Sequence, residues 1–78
     1  MKTVTIFTTP TCTYCHQAKE FFKANGVQYI EHNVASDLNA RKEMVEKSGQ
    51  LGVPVIFVDD QVIIGYDKAT LSSLLLKK

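Results

Sequence analysis

The chain has 78 residues, of which 45% are hydrophobic and 22% charged, and its formal net charge is +1. This length and balance predict a single domain over residues 1–78 rather than a disordered segment. The near-neutral charge argues against a nucleic-acid-binding surface, and apolar runs such as Val53–Val58 are too short to span a membrane. The N-terminus reaches Pro10 before a signal-peptide core could form, so we expect an intact cytoplasmic protein.

The first part of the chain predicts a β-α-β pattern. Thr3–Phe7 alternates polar and apolar residues and is rich in β-branched side chains, which is typical of a strand. Thr11 is the predicted N-cap of a helix that ends at Asn25-Gly26. A second strand is predicted over Val27–Val34. The apolar face of the helix is expected to contain Tyr14, Cys15, Ala18, Phe21 and Phe22.

A second helix follows, capped by Ser36-Asp37, covering 38–47 and ended by Ser48-Gly49. Its apolar stripe is thin, so we expect a surface helix with one face turned inward. The members of this stripe are Leu38, Met44 and Val45.

The remaining chain predicts a hairpin and a last helix. Val55–Val58 is continuously apolar and suits a central strand, and residues 59–61 turn it into the partner strand Val62–Ile64. Asp67 opens a helix whose last residues are Lys77 and Lys78, with Leu71, Leu74 and Leu75 facing inward. The order β-α-β-α-β-β-α predicts an α/β fold, with a four-stranded mixed sheet and three helices on its two faces.

Cys12 and Cys15 are the only cysteines of the chain and are separated by two residues. A C-x-x-C motif that leads into a helix, near a β-α-β pattern, indicates a thiol–disulfide redox site. Cys12 is predicted in the first helical turn, where free N–H groups and the helix dipole favour a thiolate. We therefore predict Cys12 as the nucleophile and Cys15, more buried on the same face, as the resolving thiol.

Pro54 begins the third predicted strand, after Gly52 and Val53. If the Val53–Pro54 bond were cis, Val53 would offer its backbone N–H and C=O to a substrate strand. Proline statistics alone favour a trans bond, because only about 5–6% of X–Pro bonds in folded proteins are cis.

Three segments in this order and spacing resemble the glutaredoxin family: 12–15 (Cys-Thr-Tyr-Cys), 52–54 (Gly-Val-Pro) and 65–67 (Gly-Tyr-Asp). The short glutaredoxin-like redoxins that donate electrons to ribonucleotide reductase are the most similar members. The resemblance covers the chain from Val4 to the last helix. It implies a thioredoxin fold with strand order 2-1-3-4 and a cis Val53–Pro54 bond that faces the cysteines. It also implies an attacking Cys12, a resolving Cys15, and a substrate site formed by Tyr14, Val53, Pro54, Tyr66 and Asp67.

Some positions depart from the pattern of family members that use glutathione. Thr8 and Thr9 stand where such members usually carry a basic residue, and Thr13 replaces the usual proline. A Gly-Gly pair and a second acidic residue are replaced by Gly-Tyr-Asp-Lys at 65–68, which leaves Gln50 and helix termini as partners for a glutathione carboxylate.

The resemblance leaves the electron source open between glutathione and thioredoxin reductase. We expect a monomer with no bound cofactor, and the near-neutral charge and short apolar runs predict neither nucleic acid nor a membrane as partner. Disulfide-containing proteins are the expected substrates, and ribonucleotide reductase or a peroxiredoxin would fit.

Metal binding is the alternative function. Cys12, Cys15 and His16 match the C-x-x-C-H pattern of c-type haem attachment, but an export signal is missing and the β-rich plan does not suit a small cytochrome. A zinc site with His32 as fourth ligand would lack the usual two ligand pairs. The resemblance also allows an iron–sulfur cluster that two chains share through Cys12, with glutathione as external ligand.

Lys19 lies one helical turn after Cys15 and could favour a Cys15 thiolate. A surface ion pair with Glu20 or Glu43 is the simpler interpretation. The histidines His16 and His32 are predicted as solvated residues. The phenylalanines at 7, 21, 22 and 57 are predicted as core.

Overall fold

The computed structural model describes residues 3–50 and 52–76. Within them the chain forms four strands and three helices in the predicted order. Their bounds are β1 Val4–Thr8, α1 Thr13–Ala24, β2 Ile30–Asn33, α2 Leu38–Ser48, β3 Val55–Val58, β4 Gln61–Ile64 and α3 Lys68–Leu75. The predicted helix end at Lys77 and Lys78 lies outside the described residues.

The four strands form one mixed sheet in the order β2-β1-β3-β4. β1 and β2 are parallel, with Thr5 opposite Ile30, because α1 provides the crossover between them. β3 runs antiparallel to both β1 and β4, with Phe7 opposite Val55. This is the strand order of the thioredoxin fold, and it confirms the predicted α/β architecture.

Apolar side chains fill the space on both faces of the sheet. β1 and β3 lie in the middle, so their side chains reach both cores. The core beneath α1 and α3 consists of Val4, Ile6, Ala18, Phe21, Phe22, Ile56, Val58, Ile63 and Leu71. The core beneath α2 consists of Phe7, Val34, Ala40, Met44 and Val55, with Phe57 partly buried against it. Both cores therefore pack against the two central strands. The loops that carry the cysteines and Pro54 adjoin these strands.

The first helix begins later than the sequence indicates. Cys12, not Thr11, is its N-cap, with extended backbone angles (φ −85°, ψ 110°) and a sulfur that accepts a hydrogen bond from the Cys15 N–H. Cys12 therefore precedes the first turn rather than lying within it. The prediction for Thr11 was wrong because a cysteine sulfur, seldom considered as a cap, takes the role of the usual oxygen.

The second strand is shorter than predicted, covering Ile30–Asn33 instead of 27–34. The Val27 N–H donates to the Phe22 carbonyl at 2.8 Å, so this residue completes the end of α1 rather than pairing with β1. Gly26 allows the turn with a φ of 67°. Val34 is buried just beyond the strand.

Helix α2 is capped as predicted. The Asp37 carboxylate accepts from the Ala40 N–H at 3.0 Å, and Gly49 closes the helix with a φ of 72°. Leu38, however, is 74% exposed, so its place in the apolar stripe was wrong; Ala40 and Met44 form the buried face. No helix within residues 3–50 and 52–76 is long and apolar enough to cross a membrane.

Candidate active site

Cys12 lies between the end of β1 and the first residue of α1. Its N–H donates to the Thr9 carbonyl at 3.3 Å, which turns the chain toward the helix. Its half-buried sulfur accepts from the Cys15 N–H at 3.2 Å and lies 3.7 Å from the Val53 carbonyl oxygen, to which the thiol donates. A partly accessible sulfur that caps the N-terminus of a helix can be reached by a molecule approaching from solvent.

Cys15 lies in the first turn of α1, on its buried face, and has no exposed surface. Burial, followed by the hydrogen bond with the Cys12 thiol, raises the pKa of Cys15 to about 12. Cys15 therefore remains a neutral thiol near neutral pH. One accessible and one buried sulfur stand beside each other, which is the asymmetry that the motif predicts for attacking and resolving thiols.

The Val53–Pro54 bond is cis, as the resemblance implies. It enters β3 directly beside the cysteine loop, because Val55 pairs with Phe7 near the end of β1. Pro54 is buried, and its carbonyl accepts from the Gly65 N–H at 2.8 Å. This bond links the proline loop to the segment that carries Tyr66 and Asp67.

The two tyrosines of the predicted substrate site have different surroundings. Tyr14 is 62% exposed and does not belong to the buried face of α1, contrary to the helical pattern. Tyr66 is half-buried and packs edge-on against Phe21, with 6.3 Å between ring centroids. Tyr66 also lines a groove of about 680 Å³ along α1, together with Thr13, His16, Gln17, Glu20, Phe21, Ala24, Asn25 and Lys68.

Asp67 is the N-cap of α3, as predicted. Its carboxylate accepts from the Thr70 N–H at 3.1 Å and from the Thr70 hydroxyl at 2.7 Å. The hydrogen bonds from Thr70 hold the pKa of Asp67 below its usual value. An exposed carboxylate that stays ionised therefore begins the last helix, one residue after Tyr66.

A polar cluster that the sequence did not predict includes Lys19, which lies one helical turn after Cys15 in α1. The Lys19 ammonium is 2.9 Å from Glu31 Oε2, and the buried Thr8 hydroxyl donates to the same oxygen at 2.7 Å. The predicted partners of Lys19 were wrong, since Glu43 pairs with Lys47 at 3.2 Å. Glu31 comes close to Thr8 and Lys19 only because β2 pairs with β1. Predicting this contact would have required the register of the two strands.

The histidines do not join the cysteines in a metal site. His16 is exposed, and its Nε2 lies 3.2 Å from the Pro10 carbonyl oxygen. His32 is half-buried rather than solvated, because its ring stacks on Phe7 at 5.3 Å between centroids. Across residues 3–50 and 52–76, no group of three or more His, Cys, Asp and Glu side chains is arranged to hold a metal ion.

A comparison with known families agrees with this geometry. The glutaredoxin family model matches residues 4–63, which contain the cysteines, the cis-proline and all four strands except the last residue of β4. The chain belongs to the glutaredoxin family. A glutaredoxin-like 8.6 kDa protein encoded in the rubredoxin operon of Clostridium pasteurianum is 40% identical over 95% of this chain and 99% of its own length. Glutaredoxin 3 of Escherichia coli is 42% identical over 86% of this chain and 81% of its length.

Solved structures show the same fold over nearly the whole chain. A mutant of the thioredoxin-like protein BC3987 superposes with a TM-score of 0.91 and 31% identity, covering 100% of both chains. The glutaredoxin-like NrdH-redoxin of Escherichia coli, described as having a thioredoxin-like activity profile, gives 0.80 and 25% identity over 91% of this chain and 92% of its own. This glutaredoxin is a thiol–disulfide oxidoreductase that acts as an electron carrier.

Proposed function

We propose that the protein reduces disulfides of proteins or small molecules through a reversible Cys12–Cys15 disulfide. The observation that carries this proposal is the pairing of a half-buried capping sulfur with a fully buried thiol three residues later. The Cys12 thiolate attacks a substrate disulfide and expels one thiolate, which leaves a mixed disulfide on Cys12. Cys15 then attacks the Cys12 sulfur and releases the second thiol, so that two electrons pass to the substrate.

Five residues around Cys12 are proposed to bind the substrate. The Val53 carbonyl, 3.7 Å from the Cys12 sulfur, lies where a substrate backbone would approach the reacting atom. Pro54 fixes the course of this loop, and the exposed ring of Tyr14 and the groove-lining ring of Tyr66 offer apolar contact. The ionised carboxylate of Asp67 supplies an acceptor for a substrate N–H or ammonium group.

Glutathione and thioredoxin reductase both fit as electron sources. The Lys19 side chain is paired with Glu31, so this cation is already neutralised and does not replace the basic residue that stands before the motif in glutathione-using members. This pairing, and the thioredoxin-like activity profile given for the similar NrdH-redoxin, support thioredoxin reductase. A dithiol that must be reduced again in each cycle suits a reducing compartment, so we infer that the protein works in the cytoplasm.

Substitution of each cysteine tests the dithiol mechanism. Cys12→Ser should abolish disulfide reduction, because it removes the attacking sulfur. Cys15→Ser should keep the attack and trap the substrate on Cys12 as a mixed disulfide, visible by mass spectrometry as an adduct that reductant removes. Turnover by Cys12→Ser, or the failure of Cys15→Ser to form any adduct, would refute the assignment.

NADPH oxidation with a small mixed disulfide as acceptor identifies the electron source. One reaction contains glutathione and glutathione reductase, and the other contains thioredoxin reductase. Turnover with thioredoxin reductase alone would support the redoxin interpretation, whereas turnover with glutathione alone would assign the protein to the glutathione-dependent members. A protein silent in both reactions would contradict the proposed function.

A further inference from the structure

Lys19 is held close to the resolving cysteine. It follows Cys15 by four positions in α1, and side chains at this spacing are neighbours on one helix face. Only 19% of the Lys19 side chain is exposed, and its ammonium is fixed 2.9 Å from Glu31 Oε2 on the adjacent strand β2. The Lys19 side chain thus lies against the protein between α1 and β2, with its ammonium held at a fixed position beside the strand.

Two donors hold the Glu31 carboxylate in place. The Thr8 hydroxyl, 2% exposed at the end of β1, and the Lys19 ammonium both donate to the same oxygen. The hydrogen bond with Glu31 raises the pKa of Lys19. Burial would raise the pKa of Glu31, but the hydrogen bonds from Lys19 and Thr8 lower it overall. Both groups therefore stay charged and act as fixed charges rather than as proton acceptors.

We propose that Lys19, held by Glu31 and Thr8, is a positioning residue that favours the Cys15 thiolate in the step that releases the substrate. The inference rests on the proposed dithiol mechanism. In this step Cys15 loses its proton to solvent, and its electron pair forms the bond to the Cys12 sulfur. The bond between Cys12 and the substrate sulfur breaks, and the substrate thiolate leaves with that electron pair and takes up a proton from water.

The surroundings of Cys15 disfavour the anion that the release step requires. Burial and then the hydrogen bond with Cys12 raise the pKa of Cys15, while a backbone hydrogen bond with Thr9 and, to a smaller extent, the Lys19 charge lower it. Cys12 is uncharged in the mixed disulfide, so its repulsion is absent at this stage. Besides Cys15, the titratable groups close enough to affect Lys19 are Glu31 on β2 and Tyr29, which precedes that strand. His16 on α1 affects Glu31.

Single-turnover kinetics of three variants test the proposal. The reduced protein is mixed with excess hydroxyethyl disulfide, quenched with acid, and analysed by mass spectrometry, so that the Cys12 adduct is seen to rise and decay. Lys19→Met removes the charge and keeps the length of the side chain, Lys19→Arg keeps the charge, and Lys23→Met removes an exposed lysine at the far end of α1. Thermal unfolding of each variant checks that it folds.

The expected result separates attack from release. Lys19→Met should form the adduct at the wild-type rate and resolve it roughly three- to tenfold more slowly at neutral pH, because a half-buried charge one helical turn away changes an anion's pKa by up to about one unit. Its rate–pH profile for release should move to higher pH, while Lys19→Arg and Lys23→Met should follow the wild type.

Two outcomes would overturn the inference without touching the proposed function. The first is a Lys19→Met variant that resolves the adduct with the wild-type pH profile. The second is a release rate that falls equally at every pH, since this would indicate a structural role alone. A Cys15→Ser control that accumulates no adduct would instead refute the dithiol mechanism itself.

Discussion

Cys12 and Cys15 are chemically alike but lie in opposite environments. The Cys12 sulfur is partly accessible and meets a helix N–H, whereas Cys15 has no exposed surface and a pKa raised by burial. The difference follows from position alone, because Cys12 precedes the helix and Cys15 lies in its first turn on the buried face. The proposed order of reaction therefore depends on where the backbone places each cysteine, because the two side chains are identical.

This asymmetry predicts selective alkylation of the reduced protein. Iodoacetamide at pH 7–8 should add one carbamidomethyl group, at Cys12, because only thiolates react and the Cys15 pKa of about 12 keeps that group protonated. Raising the pH toward this value increases the Cys15 thiolate fraction, so a second addition should appear only in strong alkali or after unfolding. Peptide mapping by mass spectrometry measures both sites. Equal modification of the two cysteines at pH 7 would contradict the assigned roles.

At the scale of elements, the helices owe their start points to side-chain caps. The sulfur of Cys12 begins α1, and the carboxylates of Asp37 and Asp67 begin α2 and α3. Each cap satisfies an N–H that the helix cannot bond internally. The caps therefore decide where each connecting loop ends, including the loop from β1 to the active site.

Asp37→Ala should destabilise the protein by about 1 kcal/mol, because it removes the acceptor for the Ala40 N–H at 3.0 Å. The midpoint of urea unfolding measures this loss. Asp37→Asn is the matched control, since an asparagine caps nearly as well and should leave the midpoint almost unchanged. A loss of equal size in both variants would show that charge, and not the capping bond, is responsible.

At the scale of the whole molecule, a small core supports the fold. Phe22 is fully buried between α1 and the sheet, while Leu38 is 74% exposed at the start of α2. Domains of this size have little stability to spare, so the two large hydrophobic residues should differ sharply in their contributions.

Phe22→Ala should lower the free energy of unfolding by roughly 3–5 kcal/mol, through lost burial and the cavity that remains. Leu38→Ala should change it by less than about 0.5 kcal/mol, as for most exposed positions. Chemical denaturation of both variants measures the contrast. A Leu38→Ala loss that approaches that of Phe22→Ala would mean that Leu38 is buried in solution.

Local patterns were enough to predict the order of elements, the cysteine motif and the caps Asp37 and Asp67. Each of these depends on residues within one turn or one strand, where propensity and capping decide. The exposure of Leu38 and the short β2 were not predicted, because they depend on how α2 and β1 meet the rest of the sheet. The apolar character of Leu38 does not by itself show whether the first residue of a helix faces the core or the solvent.

In the candidate site, too, features that depend on neighbouring residues could be predicted, whereas contacts between distant parts of the chain could not. The resemblance implied the cis bond before Pro54, and the structure confirms it; the roles of the two cysteines, inferred from their motif before a helix, remain a prediction. The pairing of Lys19 with Glu31 did not follow, because these residues are twelve positions apart and belong to different elements. Long-range ion pairs need the strand register, which alternation of polar and apolar residues leaves undetermined when both faces of a strand are partly polar.

In the proposed cycle the sulfur of Cys12 serves two purposes, since it accepts the N–H that begins α1 and is also the atom whose bonding changes on each turnover. In that cycle, formation of the first turn of α1 and the oxidation state of Cys12 are therefore thermodynamically linked, and the linkage works in both directions. Any substitution that makes the first turn easier or harder to form will shift the reduction potential, even if it never contacts a substrate. Thr13 is the first helical residue, a position where proline would pre-organise that turn, so we expect a Thr13→Pro substitution to change the reduction potential without any new contact to a substrate.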